Sequence, residues 1–266
     1  MIDPGPLLAA HDAQLRGATE AAGAISVHRQ GPLHLVTFPG GRALVTYRDL
    51  GSDPTAPGMA ELVEQVLAHF RAQPQVPTIE WKTRGHDHAP GLHEALVAAG
   101  FVPGPPESIM IGRAVDLAVD VPLPAGVTLR PVTAQADVRA ASALADEVFG
   151  DPVSEHRAED LLRTLASGRG AELWVAESDG RIVTTGRLEP VPGTEFAGIW
   201  GGATRPQWRG RGIYRALTAA RAWSALRWGA SLIISESTGF SRPILQRSGL
   251  VQVSTTTPYT WTPDRG

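Results

Sequence analysis

Apolar positions in the later part of the chain switch repeatedly between two periods, and the switching predicts an α/β order. Val127–Arg130 reads as a strand ending at Pro131. A helix beginning at Thr133 or Asp137 and running to Phe149 places Val138, Ala141, Leu144, Ala145 and Val148 on one inward face. Glu155 to Ala166 reads as a second helix. Leu173–Glu177 and Ile182–Leu188 read as strands around the turn Ser178-Asp179-Gly180-Arg181, and Phe196–Thr204 as a third. A long helix follows from about Gly212 to Trp228, ended by Gly229. The strand Ser231–Glu236, the short helix Arg242–Arg247 and a closing strand or pair of strands over Val251–Trp261 complete this half.

The earlier half predicts fewer elements. Leu33–Phe38 and Arg42–Tyr47 flank Pro39-Gly40-Gly41, a hairpin signal. Met59–Arg71 carries Leu62, Val63, Val66, Leu67 and Phe70 at helical spacing, with Pro57-Gly58 ahead of it as a start signal. Thr78–Lys82 is a short strand, Pro90–Ala99 a helix stopped by Gly100, and Ser108–Arg113 a last strand. Asp116 to Gly126 has two prolines, a glycine and no helical period, which reads as a linker. The expected division is therefore 1–115, a linker at 116–126, and 127–266.

Composition narrows the chemistry. The 266 residues carry 24 basic and 27 acidic side chains, a net charge of −3, so no broad positive field favours nucleic acid. No apolar run reaches the 18 or so residues of a membrane span. Met1 to Pro6 lacks the basic flank and apolar stretch of a signal peptide, and a cytoplasmic protein is expected. With no cysteine, disulfides, thiolate metal sites and a cysteine nucleophile are excluded. His86-Asp87-His88, with His93 beyond, lacks a second ligand cluster and reads as a solvated loop, so no metal is expected.

The chemistry concentrates between Arg205 and Gly212, after a strand and ahead of a long helix. A helix N-terminus offers unpaired N–H groups and about half a positive charge. Gly210 and Gly212 let the chain turn tightly and let an anion approach the backbone, while Arg209 and Arg211 add charge at the rim. Such a loop can cradle a pyrophosphate. A Walker A ending is absent, and position 215, where a dinucleotide fingerprint needs its third glycine, is Arg215.

Gln207-x-x-Gly210-x-Gly212 resembles the Gln/Arg-x-x-Gly-x-Gly/Ala signature of the GNAT superfamily, the GCN5-related N-acetyltransferases. The resemblance extends over about half the chain. Leu129-Arg130-Pro131 with Asp137 is similar to the family's first strand and helix. Ser241 to Leu250 is similar to its fourth helix and Gly-Phe terminator, here Gly249-Leu250. The resemblance implies an α/β fold in which a mixed central sheet is flanked by helices. It also implies acetyl-CoA as cofactor. The pyrophosphate would lie on the amides of Trp208, Arg209, Gly210, Arg211 and Gly212, with Gln207 alongside. Pantetheine would run along the strand ending at Ala203 and Thr204, with the thioester carbonyl polarised near Gly202 or Ala203. An amine attacks directly.

For the base, the resemblance points to Glu195, with Glu189 second. The tyrosine that relatives use as acid corresponds here to Leu245, which cannot donate a proton. Ser241, Tyr214 or Tyr259 could substitute, or the thiolate could leave unaided; packing on the first helical turn is the plainer account of Tyr214. Residues 1–115 resemble the later half of a second GNAT fold, with Gly100-Phe101 as its ending and Pro54-Thr-Ala-Pro57-Gly58 where the signature should stand. A degenerate, non-catalytic GNAT-like domain is expected there. The implied activity is acetyl transfer to a primary amine of a small molecule, the chain acting as a monomer or homodimer without nucleic acid or membrane. The alternatives are a silent CoA-binding sensor or scaffold, and transfer to a peptide or protein amine.

Overall fold

The computed structural model describes residues 3–51, 54–73 and 75–263. Met1 and Ile2, at the stretch read for a targeting signal, and positions 264–266 of the expected second domain lie outside the described residues. No helix among those described is long and apolar enough to cross a membrane.

The elements, in order, are α1 (Pro4–Gln14), β1 (Ser26–Gln30), β2 (Leu33–Thr37), β3 (Arg42–Tyr47), α2 (Ala56–Arg71), β4 (Thr78–Arg84), α3 (Leu92–Ala98), β5 (Val102–Pro103) and β6 (Glu107–Arg113). Then come α4 (Ala114–Leu117), β7 (Val127–Val132), α5 (Gln135–Phe149), α6 (Glu155–Ala166), β8 (Glu172–Ser178), β9 (Arg181–Pro190) and β10 (Phe196–Thr204). The chain ends with α7 (Ile213–Arg227), β11 (Leu232–Ser237), α8 (Arg242–Ser248) and β12 (Val251–Trp261).

Two compact units form. The first comprises residues up to Ile109 and those from Val253 onward; the second is Met110–Gln252. This differs from the expected division at 1–115, 116–126 and 127–266 in two ways. Thr256 to Trp261 of β12 pair antiparallel with β4, so the closing strand belongs to the first unit's sheet. The expected linker also begins inside the second unit's core. Ala114, Leu117 and Ala118 fall at helical spacing on and just after α4, and all three are buried.

In the first unit β1, β2 and β3 form an antiparallel meander, and β3 runs parallel to β4 with α2 as the crossover. Val63, Val66, Leu67 and Phe70 of α2 pack on Val45, Ile79 and Trp81. The sequence reading missed α1 and β1. Asp3 caps α1 by accepting from the Gly5 N–H at 2.9 Å, and proline suits the first turn because its missing N–H would be unpaired there anyway. β1 is largely exposed, so it lacks the inward alternation that marks a half-buried strand.

The triplet at 86–88 is not simply solvated loop. Arg16, just after α1, makes a two-point contact with Asp87 at 2.8 and 3.0 Å. Both side chains are more than nine-tenths buried. His86 reaches Asp12 at 3.1 Å and Ser254 at 2.6 Å. The loop therefore anchors the N-terminal helix, and a neighbouring pair, Arg84 with Glu20 at 2.7 Å, fixes the turn that follows.

In the second unit β7, β8, β9 and β10 are successive antiparallel neighbours, β10 is parallel to β11, and β6 lies beyond β11. The helices α5 and α6 pack over Val132, Leu173 and Val175. On the other face α7 sets Ala222 and Ala225 against Leu188, Ala197 and Ile199, with Leu245 of α8 in the same cluster.

Candidate active site

The site begins where β10 leaves its neighbour. Phe196, Ala197 and Gly198 are in register with Leu232, Ile233 and Ile234 of β11, and beyond Gly198 that pairing stops. The ladder to β9 continues but shifts register between Trp200 and Ala203. Two residues there, Gly201 and Gly202, face one on β9, Gly186, and Gly201 takes a positive φ of 60°. A β-bulge thus coincides with the opening between two parallel strands, leaving backbone groups on β10 without a β11 partner.

After Thr204 the chain makes a short 3-10 turn over Pro206–Trp208 and enters α7 at Gly212. Gly210 and Gly212 have φ of 73° and 80°, which favours glycine over any side chain with a Cβ. The space a Cβ would occupy at either position is empty to 4 Å. No side chain caps α7, so its first-turn N–H groups face this space, as an anion site requires. The residues therefore fit a pyrophosphate.

The cradle is narrower than expected. The N–H groups of Trp208 and Arg209 already donate to Arg205 at 2.9 Å and Pro206 at 3.2 Å. Among the described residues, those of Gly210, Arg211 and Gly212 have no backbone acceptor outside α7. Arg209 Nε donates to the Thr204 carbonyl at 3.1 Å, and Arg211 stacks over Trp208 at 4.8 Å. Trp208 packs against Val127, Val183 and Ile213 and so roofs the loop from below. Gln207 is exposed beside it.

The two faces of β10 carry different chemistry. The Trp200 ring folds back over Gly198, where a Cβ would come within 2.4 Å of it. Arg187 lies opposite Trp200 and Glu189 opposite Gly198, so all share that face. Arg187 and Glu189 pair at 3.3 Å and are about one-third exposed. The other face holds Ile199, Leu188 and α7, and near the bulge it receives Tyr214, whose ring lies over Gly202.

The expected catalytic residues do not gather here. Glu195 precedes β10 and accepts from Ser231 Oγ at 3.2 Å. Five extended residues, about 16 Å of chain, separate it from Trp200. Ser241 starts α8 and donates to the Thr238 carbonyl at 3.4 Å. Leu245 is fully buried in the apolar cluster. Tyr259 belongs to the first unit, 2.8 Å from His93 Nδ1. The pairing of Glu189 with Gly198 was not legible, because register between strands is not written in either strand alone.

Residues 139–238 match the model of the Acetyltransferase (GNAT) family. The matched stretch is a GNAT-family domain and lies within the second unit. The GNAT domain is an acyl-CoA-dependent N-acyltransferase, and its relatives take acetyl-CoA as cosubstrate. No curated protein matches the chain by sequence. Similar solved structures include a GCN5-related N-acetyltransferase from Kribbella flavida, 18% identical over 92% of this chain and 94% of that one, with a TM-score of 0.67. Another, from Sphaerobacter thermophilus, is 18% identical over 90% and 82%, at 0.63. A tandem GNAT protein from the clavulanic acid biosynthesis pathway is 19% identical over 86% and 78%, at 0.59.

Proposed function

We propose that the chain transfers an acetyl group from acetyl-CoA to a primary amine of a small molecule, by direct attack and without a covalent enzyme intermediate. The carrying observation is the junction of β10, which parts from β11 at a glycine bulge and runs into an open, uncapped helix start. Acetyl-CoA supplies the activated acyl group as a thioester. Gly210, Arg211 and Gly212 would hold its diphosphate through backbone N–H groups, with Gln207 and Arg209 at the rim. The unpartnered backbone of β10 near Gly202 and Ala203 would orient the pantetheine arm and polarise the carbonyl.

The acceptor side is the face bearing Trp200, Arg187 and Glu189. An aromatic ring beside a carboxylate suits an amine that arrives as a cation. Glu189 is two residues of strand from Trp200, so the base role passes to it from Glu195 in this reading. A place for one tandem relative in a small-molecule biosynthesis pathway supports a small acceptor.

The first unit repeats the strand–helix–strand pattern of the second in β3, α2 and β4, but its helix start is closed. Thr55 Oγ1 accepts from the Gly58 N–H at 3.3 Å, and both glycine positions of the cradle have no counterpart there. Part of the β3–α2 connection, residues 52 and 53, lies outside the described residues. We read this unit as the degenerate, non-catalytic partner of the GNAT domain.

Released thiol tests the activity against a panel of amines, and the signal is unambiguous because the protein has no cysteine. Turnover with a small amine supports the reading; turnover only with peptide amines moves the acceptor class. Acetyl-CoA binding without turnover on any amine returns the silent sensor, the reading that Leu245 favours.

A further inference from the structure

Arg221 of α7 is wholly buried, and among the described residues no carboxylate pairs with it. Its Nη1 donates to the Arg187 carbonyl at 3.0 Å and its Nε to the Leu217 carbonyl at 3.3 Å, while Nη2 has no acceptor. Burying a cation without a counter-ion is costly, so packing alone is a poor account of it. Its guanidinium carbon lies 5.9 Å from the centroid of the Tyr214 ring, two helical turns back along α7. Burial pushes the Arg221 pKa down, and the Tyr214 hydroxyl opposes that shift.

Two glycines on adjacent strands clear space for this pair. A Cβ on Gly186 of β9 would come within 2.8 Å of Arg221 Nη1. One on Gly202 of β10 would come within 2.6 Å of the Tyr214 hydroxyl. The phenol therefore sits on the bulge itself. It also packs against the apolar cluster that holds Leu245, the position where the resemblance leads one to expect a phenol on α8.

We propose that Tyr214 is the acid for the departing thiol and Arg221 the positioning residue beneath it, so that the phenol enters from α7 instead of α8. This rests on the acetyl-transfer reading. As the carbon–sulfur bond breaks, Tyr214 gives its proton to the sulfur. Glu189 takes one proton from the incoming ammonium, the acylated nitrogen sheds its remaining surplus proton to water, and water restores the phenol. Arg221 steadies the phenolate in between.

The test reads the thiol of bound CoA rather than turnover. An alkyl thiol such as that of cysteine titrates near 8.5, and the thiolate of bound CoA can be followed by the pH dependence of its alkylation rate, because a cysteine-free protein offers no competing thiol. A phenol donating to the thiolate favours the charged form, so the bound thiol should titrate below the free one. Tyr214→Phe keeps the ring and removes the donor. The expected result is unchanged CoA affinity with the thiol dissociation constant lowered about tenfold. Arg221→Lys keeps the charge but not the reach of the fork, and should give a smaller fall in the same direction. Equal thiol titrations in the wild type and Tyr214→Phe, both with CoA bound, would overturn the assignment while leaving the acetyl-CoA site standing. Failure of the wild type to bind CoA at all would remove the acetyl-transfer reading and this inference together.

Discussion

The ring of Tyr214 lies so close over Gly202 that a Cβ there would sit 2.5 Å from Cε2 and 3.0 Å from Cζ. Helix α7 and the bulge of β10 are thus fitted to each other at a residue that has no side chain. Gly202→Ala must displace the ring or the strand. Overpacking of this kind costs about 1–3 kcal/mol. A urea midpoint lowered accordingly, with weaker acetyl-CoA binding, is expected; an unchanged midpoint would mean that the ring moves freely.

The ion pair of Arg16 and Asp87 is buried on both sides, and removing one partner strands the other. Asp87→Ala should cost about 3 kcal/mol. The double variant Arg16→Met, Asp87→Ala should recover much of that loss, since the uncompensated charge is gone. Equal stability of the single and double variants by chemical denaturation would show that Asp12 and His86 already satisfy Arg16.

Stability should fall with acid in two stages. Burial holds the pKa of His11 below its ordinary 6.5, although its bond to Asp12 pulls the other way. The fold favours the neutral ring, so this contribution is full above pH 6.5 and declines as pH drops below it. Burial works against the charge of Glu20, but Arg84, Lys82 and the bond from Thr46 outweigh it and hold the carboxyl below its ordinary 4.5. That contribution is present above pH 4.5 and is lost as pH falls through the lower folded value. His11→Gln should abolish the first stage and Glu20→Gln the second. A denaturation midpoint that stays flat from pH 7 to 5 would contradict the first.

The placement of carboxylates separates two candidates for the base. Glu189→Gln should lower kcat/KM about 10²-fold, as removal of a general base does. Glu195→Gln, at the far end of β10, should cost less than tenfold. The reverse order in a steady-state comparison would return the role to Glu195.

Much of the second unit was legible because its periodicity is strong and local. Glu155–Ala166 and Phe196–Thr204 form over the residues their patterns marked. The glycine turn ahead of α7 was equally legible, since positive φ at Gly210 and Gly212 is a property of residue type. Pairing across the fold was not. Nothing in Val251–Trp261 says that it joins β4, nor in Asp116-Leu117-Ala118 that Leu117 enters a core. The site followed the same division. The proposed anion cradle was read from the loop, and Glu189 and Tyr214 were among the candidates the sequence offered, whereas preferring them, and noticing Arg221 at all, depends on register and on space left by distant glycines.

The most direct measurement is a calorimetric titration of acetyl-CoA into the wild type and into a Gly210→Glu, Gly212→Glu variant. Both substitutions place a side chain and a negative charge in space that is open, so the fold should tolerate them better than the ligand does, apart from the strain of a positive φ. One-to-one micromolar binding by the wild type, lost at least 100-fold in a variant that remains folded by circular dichroism, is the predicted result. Equal binding by both proteins would place the cofactor elsewhere, and no binding by the folded wild type would contradict the account of the cradle altogether.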